Sequence, residues 1–270
     1  VVAPGPRPAV AALPALCRAR RGLVLGRVTD PGVDELSGLV RGRRDRSLLW
    51  AIEDSGSPAD LVALRPDGTV VGRVAVTGAA NADWEDIAAG RAPDGTPSLF
   101  VADIGDNDAV RASVQVYRVP EPVPAAGVAP STRLELRYPD GAHDAETLLA
   151  DPLRHELVLV TKTLTGGRVY TLPPRGGTLR PGPALRLGAI TAGDVSADGR
   201  LLALRTYASL VVWRRHGRER LARTLARAPT CVAPAPLTAE GQGEALALGP
   251  GGRTAITVPE GAEPRLRRYG

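Results

Sequence analysis

The stretch Asn81–Gly90 reads NADWEDIAAG and places three carboxylates, Asp83, Glu85 and Asp86, around Trp84. Comparable openings recur at Ser37, Glu146, Thr191 and Glu244, with Glu35, Asp144 and Asp194 close by. Hydroxyls and carboxylates are oxygen donors. Carboxylates gathered at one point repel each other until some are protonated or a cation joins them. Calcium resolves such a conflict, because it accepts about six to eight oxygens, including hydroxyls, carbonyls and water. Otherwise the acids cap strands, bond backbone amides or hold water. The chain has three His and two Cys, and these give no transition-metal set.

These residues would have to be brought together by a repeat. Five segments share one plan, a polar opening on a small-residue strand followed by an apolar strand, a third strand and a variable fourth. The first runs ELSGLVRG, SLLWAIEDSG, DLVALRPDG, TVVGRVAVTG. The others begin at DWEDIAAG, DAETLLAD, ITAGDVSADG and GEALALGPGG, and the fifth runs out of chain after RLRRYG. GLVLGRVTD, Gly22 to Asp30, stands unpaired at the other end and supplies the missing strand. The expected fold is all-β, a five-bladed β-propeller of four-stranded antiparallel blades, with the N-terminal strand closing the last blade and removing both open edges. Residues 1–21 form a Pro/Ala-rich N-terminal segment and residues 22–270 a single propeller domain. HGRERLARTLARA, His216 to Ala228, has leucines at helical spacing, but the repeat asks for a strand there.

Openings lie on one face of a propeller, so Ser37, Glu85, Glu146, Thr191 and Glu244 should meet at one level of the central channel and hold calcium. The turns after the second strands face the same way. They predict a rim of Asp54, Asp106, Asn107, Lys162, Arg205, Tyr207 and Glu260. Lys162 is the single lysine among 34 basic residues, which suggests a place that suits an ammonium and not a guanidinium; chance retention on an exposed turn is the other explanation. Lys162 and Arg205 would suit an anionic group, with Asp54 or Asp106 as a base. Asp103–Asp108, DIGDND, is a second metal loop or, more simply, an Asp/Asn turn.

The order Ser, Glu, Glu, Ser/Thr, Glu resembles that of the calcium-activated apyrases. LSGLV, ADWEDIAAG with LFVADIG, DAET and GEALAL carry the resemblance. It implies a five-bladed propeller with axial calcium and hydrolysis of nucleoside di- and triphosphates. Thr191 stands where a serine is expected, and the pattern outside the openings is not matched, so the metal site carries over better than the activity. The chain is also similar to exported bacterial propellers of the lactonase, phytase and strictosidine-synthase type.

Composition narrows the classes further. The formal net charge is +5, but the arginines are scattered along the chain and only three Trp, five Tyr and one Phe are available for stacking. Nucleic acid is therefore not an expected partner. No run is long enough for a membrane span. No G-x-S-x-G elbow, P-loop or dinucleotide fingerprint occurs. The Val1 start and Pro/Ala-rich lead fit a processed export signal or a chain trimmed at its start. In an exported protein Cys17 and Cys231 could be bridged, or they are two buried thiols. His143 beside Asp144 is a proton carrier or a surface histidine.

Two functions follow from these residues. One is a secreted or cell-envelope calcium-dependent hydrolase of a phosphate ester, phosphoanhydride or lactone, using Asp54, Asp106, Lys162 and Arg205. The other is a non-enzymatic propeller, with structural calcium, that binds an extracellular protein or glycan. A monomer is expected in either case.

Overall fold

The computed structural model describes residues 12–270; the first part of the Pro/Ala-rich lead, residues 1–11, lies outside the described residues. Strand β1 (Leu23–Arg27) comes first. The first blade follows as β2 (Leu36–Arg41), β3 (Leu49–Glu53), β4 (Asp60–Leu64) and β5 (Val70–Thr77). The second contains β6 (Trp84–Arg91), β7 (Pro97–Asp103) and β8 (Val114–Pro120), then β9 (Val128–Pro130) and β10 (Thr132–Arg137). The third contains β11 (Ala145–Ala150), β12 (Leu157–Thr161) and β13 (Gly167–Thr171), then β14 (Gly177–Thr178) and β15 (Arg180–Leu185). The fourth is β16 (Ile190–Val195), β17 (Leu201–Thr206), β18 (Leu210–Arg214) and β19 (Cys231–Ala233). The fifth is β20 (Gly243–Leu248), β21 (Ala255–Pro259) and β22 (Arg265–Tyr269), with β1 as its outer strand.

The chain is thus a five-bladed β-propeller. β1 pairs antiparallel with β22, Leu23 opposite Arg268 and Arg27 opposite Arg265, so the two ends of the described chain share a sheet. Two blades gain a fifth strand from their neighbour: β9 adds parallel to β5, and β14 adds parallel to β10.

Local chemistry explains the strands. Val, Leu and Ile fill them, and Asp-Gly turns end them. The tetrapeptide PDGT occurs twice, and in both copies the Asp carboxylate accepts the Thr amide, at 3.0 Å for Asp67 and 2.9 Å for Asp94. Gly68 and Gly95 sit there at φ +90° and +87°, a region that costs glycine little.

His216–Ala228 departs from the expected strand. Leu221–Leu225 form a short helix, α1. Leu221 and Leu225 stand one turn apart and both bury against Val211 and Trp213, whereas a strand would send them to the same side only by giving up the intervening helical bonds. The Trp213 indole fixes the exit of the helix by donating to Arg227 O at 3.0 Å. The fourth strand is β19, six residues after α1.

The apolar interior is divided into five wedges, one at each seam between blades. Leu16, buried in the short 3-10 turn Ala15–Arg18, enters the wedge between the fourth and fifth blades. The disulfide Cys17–Cys231 joins that turn to β19. Innermost strands of adjacent blades are stitched by side chains, since they do not pair as sheets. Ser37 Oγ donates to Trp84 O at 2.7 Å, and Thr191 Oγ1 donates to Gly243 O at 2.8 Å. The Asp86 and Asp194 carboxylates accept the amides of Leu148 at 2.8 Å and Leu248 at 2.7 Å in the next blade.

Candidate metal centre at the propeller axis

Each innermost strand contains one register shift against its second strand, between Leu36 and Gly38, Trp84 and Asp86, Ala145 and Thr147, Ile190 and Ala192, and Gly243 and Ala245. The skipped residues are Ser37, Glu85, Glu146, Thr191 and Glu244. A bulge leaves its extra residue outside the ladder and re-aims its side chain. The repeat therefore places five equivalent residues on bulges facing the axis.

Glu85, Glu146 and Glu244 converge: each offers a carboxylate oxygen, and the three oxygens lie within 4.8 Å of one another. All three residues are buried. Asp54, Asp83 and Glu85 form a second cluster within the same distance, so Glu85 belongs to both. Ser37 and Thr191 occupy the two remaining positions, and their hydroxyl protons are committed to the neighbouring strands described above.

Charge crowding is answered in several ways. Burial and then the nearby carboxylates push Glu85 well above the usual range. Burial, then the charge on Asp54, raises Asp83 to about 6, and burial raises Asp54 as well. Burial and a hydrogen bond to Glu244 raise Glu260 to about 9. Lys162 Nζ pairs with Glu146 Oε1, yet burial outweighs that help and leaves Glu146 at about 7. Tyr207 Oη donates to Glu244 Oε1 at 2.9 Å. Glu146 Oε2 is buried with no partner.

A second ring lies above the bulges. The residues that follow the last ladder pair of each blade are Asp54, Ile104, Lys162, Tyr207 and Glu260. In four of them the backbone amide bonds the carbonyl two residues before the bulge: Asp54 to Glu35, Ile104 to Asp83, Lys162 to Asp144 and Glu260 to Gln242.

Two residues expected on this rim lie two positions away from it. Asp106 is past the ring, where both carboxylate oxygens close its own turn by accepting the Val110 amide at 2.9 Å and the Arg111 amide at 2.8 Å. Arg205 is still inside β17, where it is fully buried. It pairs with Glu240 at 2.7 Å and donates to Ala245 O at 3.1 Å, and Tyr269 and Thr257 hold the other Glu240 oxygen. Glu240 and the Ala245 carbonyl hold Arg205 inside the blade, and the geometry leaves Lys162 as the cation of the ring.

In comparisons with known proteins, no family profile matches the chain and no curated protein matches it in sequence. Among solved structures it is similar to the glutaminyl cyclase of Myxococcus xanthus, with a TM-score of 0.56 and 12% identity over 94% of this chain and 97% of that one. A provisional 6-phosphogluconolactonase of Bacteroides uniformis is similar with a TM-score of 0.45 and 15% identity, over 86% of this chain and 66% of that one. At 12% identity the likeness to the cyclase bears on the fold alone.

Gly105 is a site residue that sequence reasoning missed. A β-carbon there would collide with Oε1 of Glu85 and with the Asp83 carboxylate. Its only trace in the sequence is the glycine after an acidic strand end, DIG. Beside it a polar cavity of about 310 Å³ opens between Asp83, Asp106 and Arg111. Arg111 braces this wall by pairing with Asp103 at 2.8 Å. His143 is remote from the cluster in its bonding, which runs to Asp140 and Tyr170.

The donor set fits a hard cation. It is all oxygen and buried, it carries an unpartnered carboxylate oxygen, and Gly105 leaves room for the carboxylates. Lys162 holds one oxygen of the set and so competes with any ion placed there.

Proposed function

We propose that the chain is an extracellular calcium-binding propeller whose upper face binds a ligand and is not built chiefly for turnover. The observation that carries the reading is the convergence of Glu85, Glu146 and Glu244 within 4.8 Å, with one oxygen unpartnered. Calcium suits oxygen donors of this kind. The short openings that resemble calcium-activated apyrases point the same way. Export is supported by the Cys17–Cys231 disulfide, since such bridges persist in oxidising compartments. Among the described residues no helix is long and apolar enough to cross a membrane.

Binding is favoured over catalysis by the dispersal of the expected rim. Catalysis on an anionic substrate needs cations and a base within reach of one atom. Arg205 is latched inside its blade and Asp106 inside its turn, so neither supports such a site. A specific observation favours the hydrolase as the second reading. Asp54 and Asp83 bring carboxylate oxygens within 4.8 Å of one another at the rim, with Asp83 raised to about 6, and Lys162 stands across the ring. Asp54 would accept a proton from water and Lys162 would orient a phosphate or carboxylate. A bound calcium would supply positive charge to the substrate oxygen.

Calorimetric titration with calcium, paired with thermal melts in calcium and in chelator, tests the primary reading. One ion per chain, lost in Glu85→Gln and Glu244→Gln, is the expected result. An unchanged melting temperature and no binding at millimolar calcium would overturn it. Calcium-dependent turnover of a phosphate, anhydride or lactone substrate, lost in Lys162→Ala and Asp54→Asn, would replace binding by the hydrolase reading.

A further inference from the structure

The lower ends of the seams are closed unequally. In the first blade Trp50 pairs with Val40, three residues beyond the bulge, and the same position is Phe100 in the second blade, opposite Ala88. Trp50 fills the seam between the first and second blades, and its indole donates to Glu121 at 3.3 Å. Glu121 also accepts the backbone amides of Arg43 and Arg44, both at 2.9 Å, and so locks the lower turn of the first blade.

Glu121 stands three residues beyond Arg118, the ladder partner of Phe100. Counting three residues beyond the corresponding ladder positions, Thr171 in the third blade and Val212 in the fourth, reaches Pro174 and Arg215. Arg215 latches its seam too, with a bidentate pair to Asp151 at 2.7 Å for each bond, both side chains fully buried. The Pro174 side chain offers neither a donor nor an acceptor. The seam between the second and third blades therefore has a smaller aromatic ring and no latch. β14 reaches over it to β10 at the outer edge, and a cavity of about 250 Å³ remains behind.

That cavity has an apolar floor of Phe100, Leu134, Leu157 and Leu172, with Arg91, Arg118 and Arg180 among its lining residues. Arg91 and Arg118 bond only neutral oxygens, Gly95 O and Thr132 Oγ1; no ion pair with a carboxylate is formed by any of the three among the described residues. The one acid of the lining, Glu156, already faces Arg154 at 3.6 Å and Arg220 at 3.5 Å. An apolar chamber with uncompensated guanidinium groups favours a molecule with a hydrocarbon body and a single anionic head, because burial rewards the body and charge-assisted bonds reward the head.

We propose that this seam is a binding site for a medium-chain acyl carboxylate, separate from the axial cluster. The cavity equals roughly eight water-sized volumes, which sets the chain length near that of octanoate. The site does not depend on the axial cation, and its test is run in chelator.

Calorimetric titration of the whole protein with octanoate, 1-octanol and acetate separates body from head. Octanoate is expected to bind once per chain, 1-octanol about tenfold or more weakly, and acetate without measurable heat. Arg118→Gln with Arg180→Gln should erase the preference for octanoate over 1-octanol. Phe100→Trp installs the residue that fills the equivalent seam and should abolish binding of both. Equal affinity for octanoate and 1-octanol in the parent protein, or undiminished octanoate binding in folded Phe100→Trp, overturns the proposal. If Phe100→Trp does not fold, as judged by circular dichroism, the arginine pair decides, and an unchanged preference in it is fatal.

Discussion

Gly105 lies against Glu85 so closely that the carboxylate occupies the volume of the missing side chain. The same volume adjoins Asp83. A methyl group there must displace one of the two acids, and Glu85 is the one buried at the axis, whereas Asp83 borders the open cavity. Gly105→Ala is therefore expected to weaken calcium binding about tenfold or more, the loss of roughly one charge-assisted contact, while the propeller persists. Calorimetry reads the first effect and circular dichroism the second. Unaltered calcium affinity in Gly105→Ala would place the ion, if one binds, away from Glu85.

Lys162 and an axial cation compete for Glu146. The ammonium is held above its ordinary range because Glu146 and the neighbouring acids outweigh the cost of burial. Lys162→Ala removes the competitor and leaves Glu146 uncompensated. The variant should melt lower than the parent in chelator and bind calcium about tenfold more tightly, so that saturating calcium closes the gap in melting temperature. Weaker calcium binding in Lys162→Ala would show that the ammonium supports the ion and does not oppose it.

Much of this arrangement was legible because a propeller repeats. Ser37, Glu85, Glu146, Thr191 and Glu244 align on short openings, and the structure shows each of them on the bulge of its strand. The second ring was read less accurately. Period-two alternation makes a two-residue error keep the same strand face while moving about 7 Å along the strand, and that is the error separating Arg205 from Tyr207 and Asp106 from Ile104. Helix α1 was misread because the repeat demanded a strand, while the buried pair Leu221 and Leu225 decided the local fold. The latches Glu121 and Arg215, and Pro174 where the equivalent latch is missing, carry no sequence pattern, since each seam ends in a different chemistry.

Asp194 gives the fold a pH dependence of known sign. Burial raises it to about 6, although it accepts the amides of Val195 and Leu248. A carboxyl that holds its proton more tightly in the native state than in the unfolded chain makes stability fall as pH rises from the unfolded value toward the native one. Asp83, near 6, and Glu146, near 7, act in the same direction. In chelator the urea midpoint should therefore drop between about pH 4 and pH 7. Asp194→Asn should flatten part of that slope, and a midpoint that climbs over this interval would refute the assignment.

The disulfide and Leu16 act together on the last blade. Cys17 and Cys231 are separated by 214 residues, a span for which cross-linking the unfolded chain stabilises the native state by about 2 to 5 kcal/mol. Leu16 is fully buried next to the bridge, and β1 begins shortly after it as the outer strand of the fifth blade. Losing the bridge frees this segment at one end only, because β1 still pairs with β22. Cys17→Ser with Cys231→Ser should lower the melting temperature by roughly 5 to 15 °C, with faster amide exchange concentrated in β1, β22 and β19. Exchange that quickens equally in the second blade would mean that the ring opens as one unit, and that the bridge guards the closure of the whole propeller.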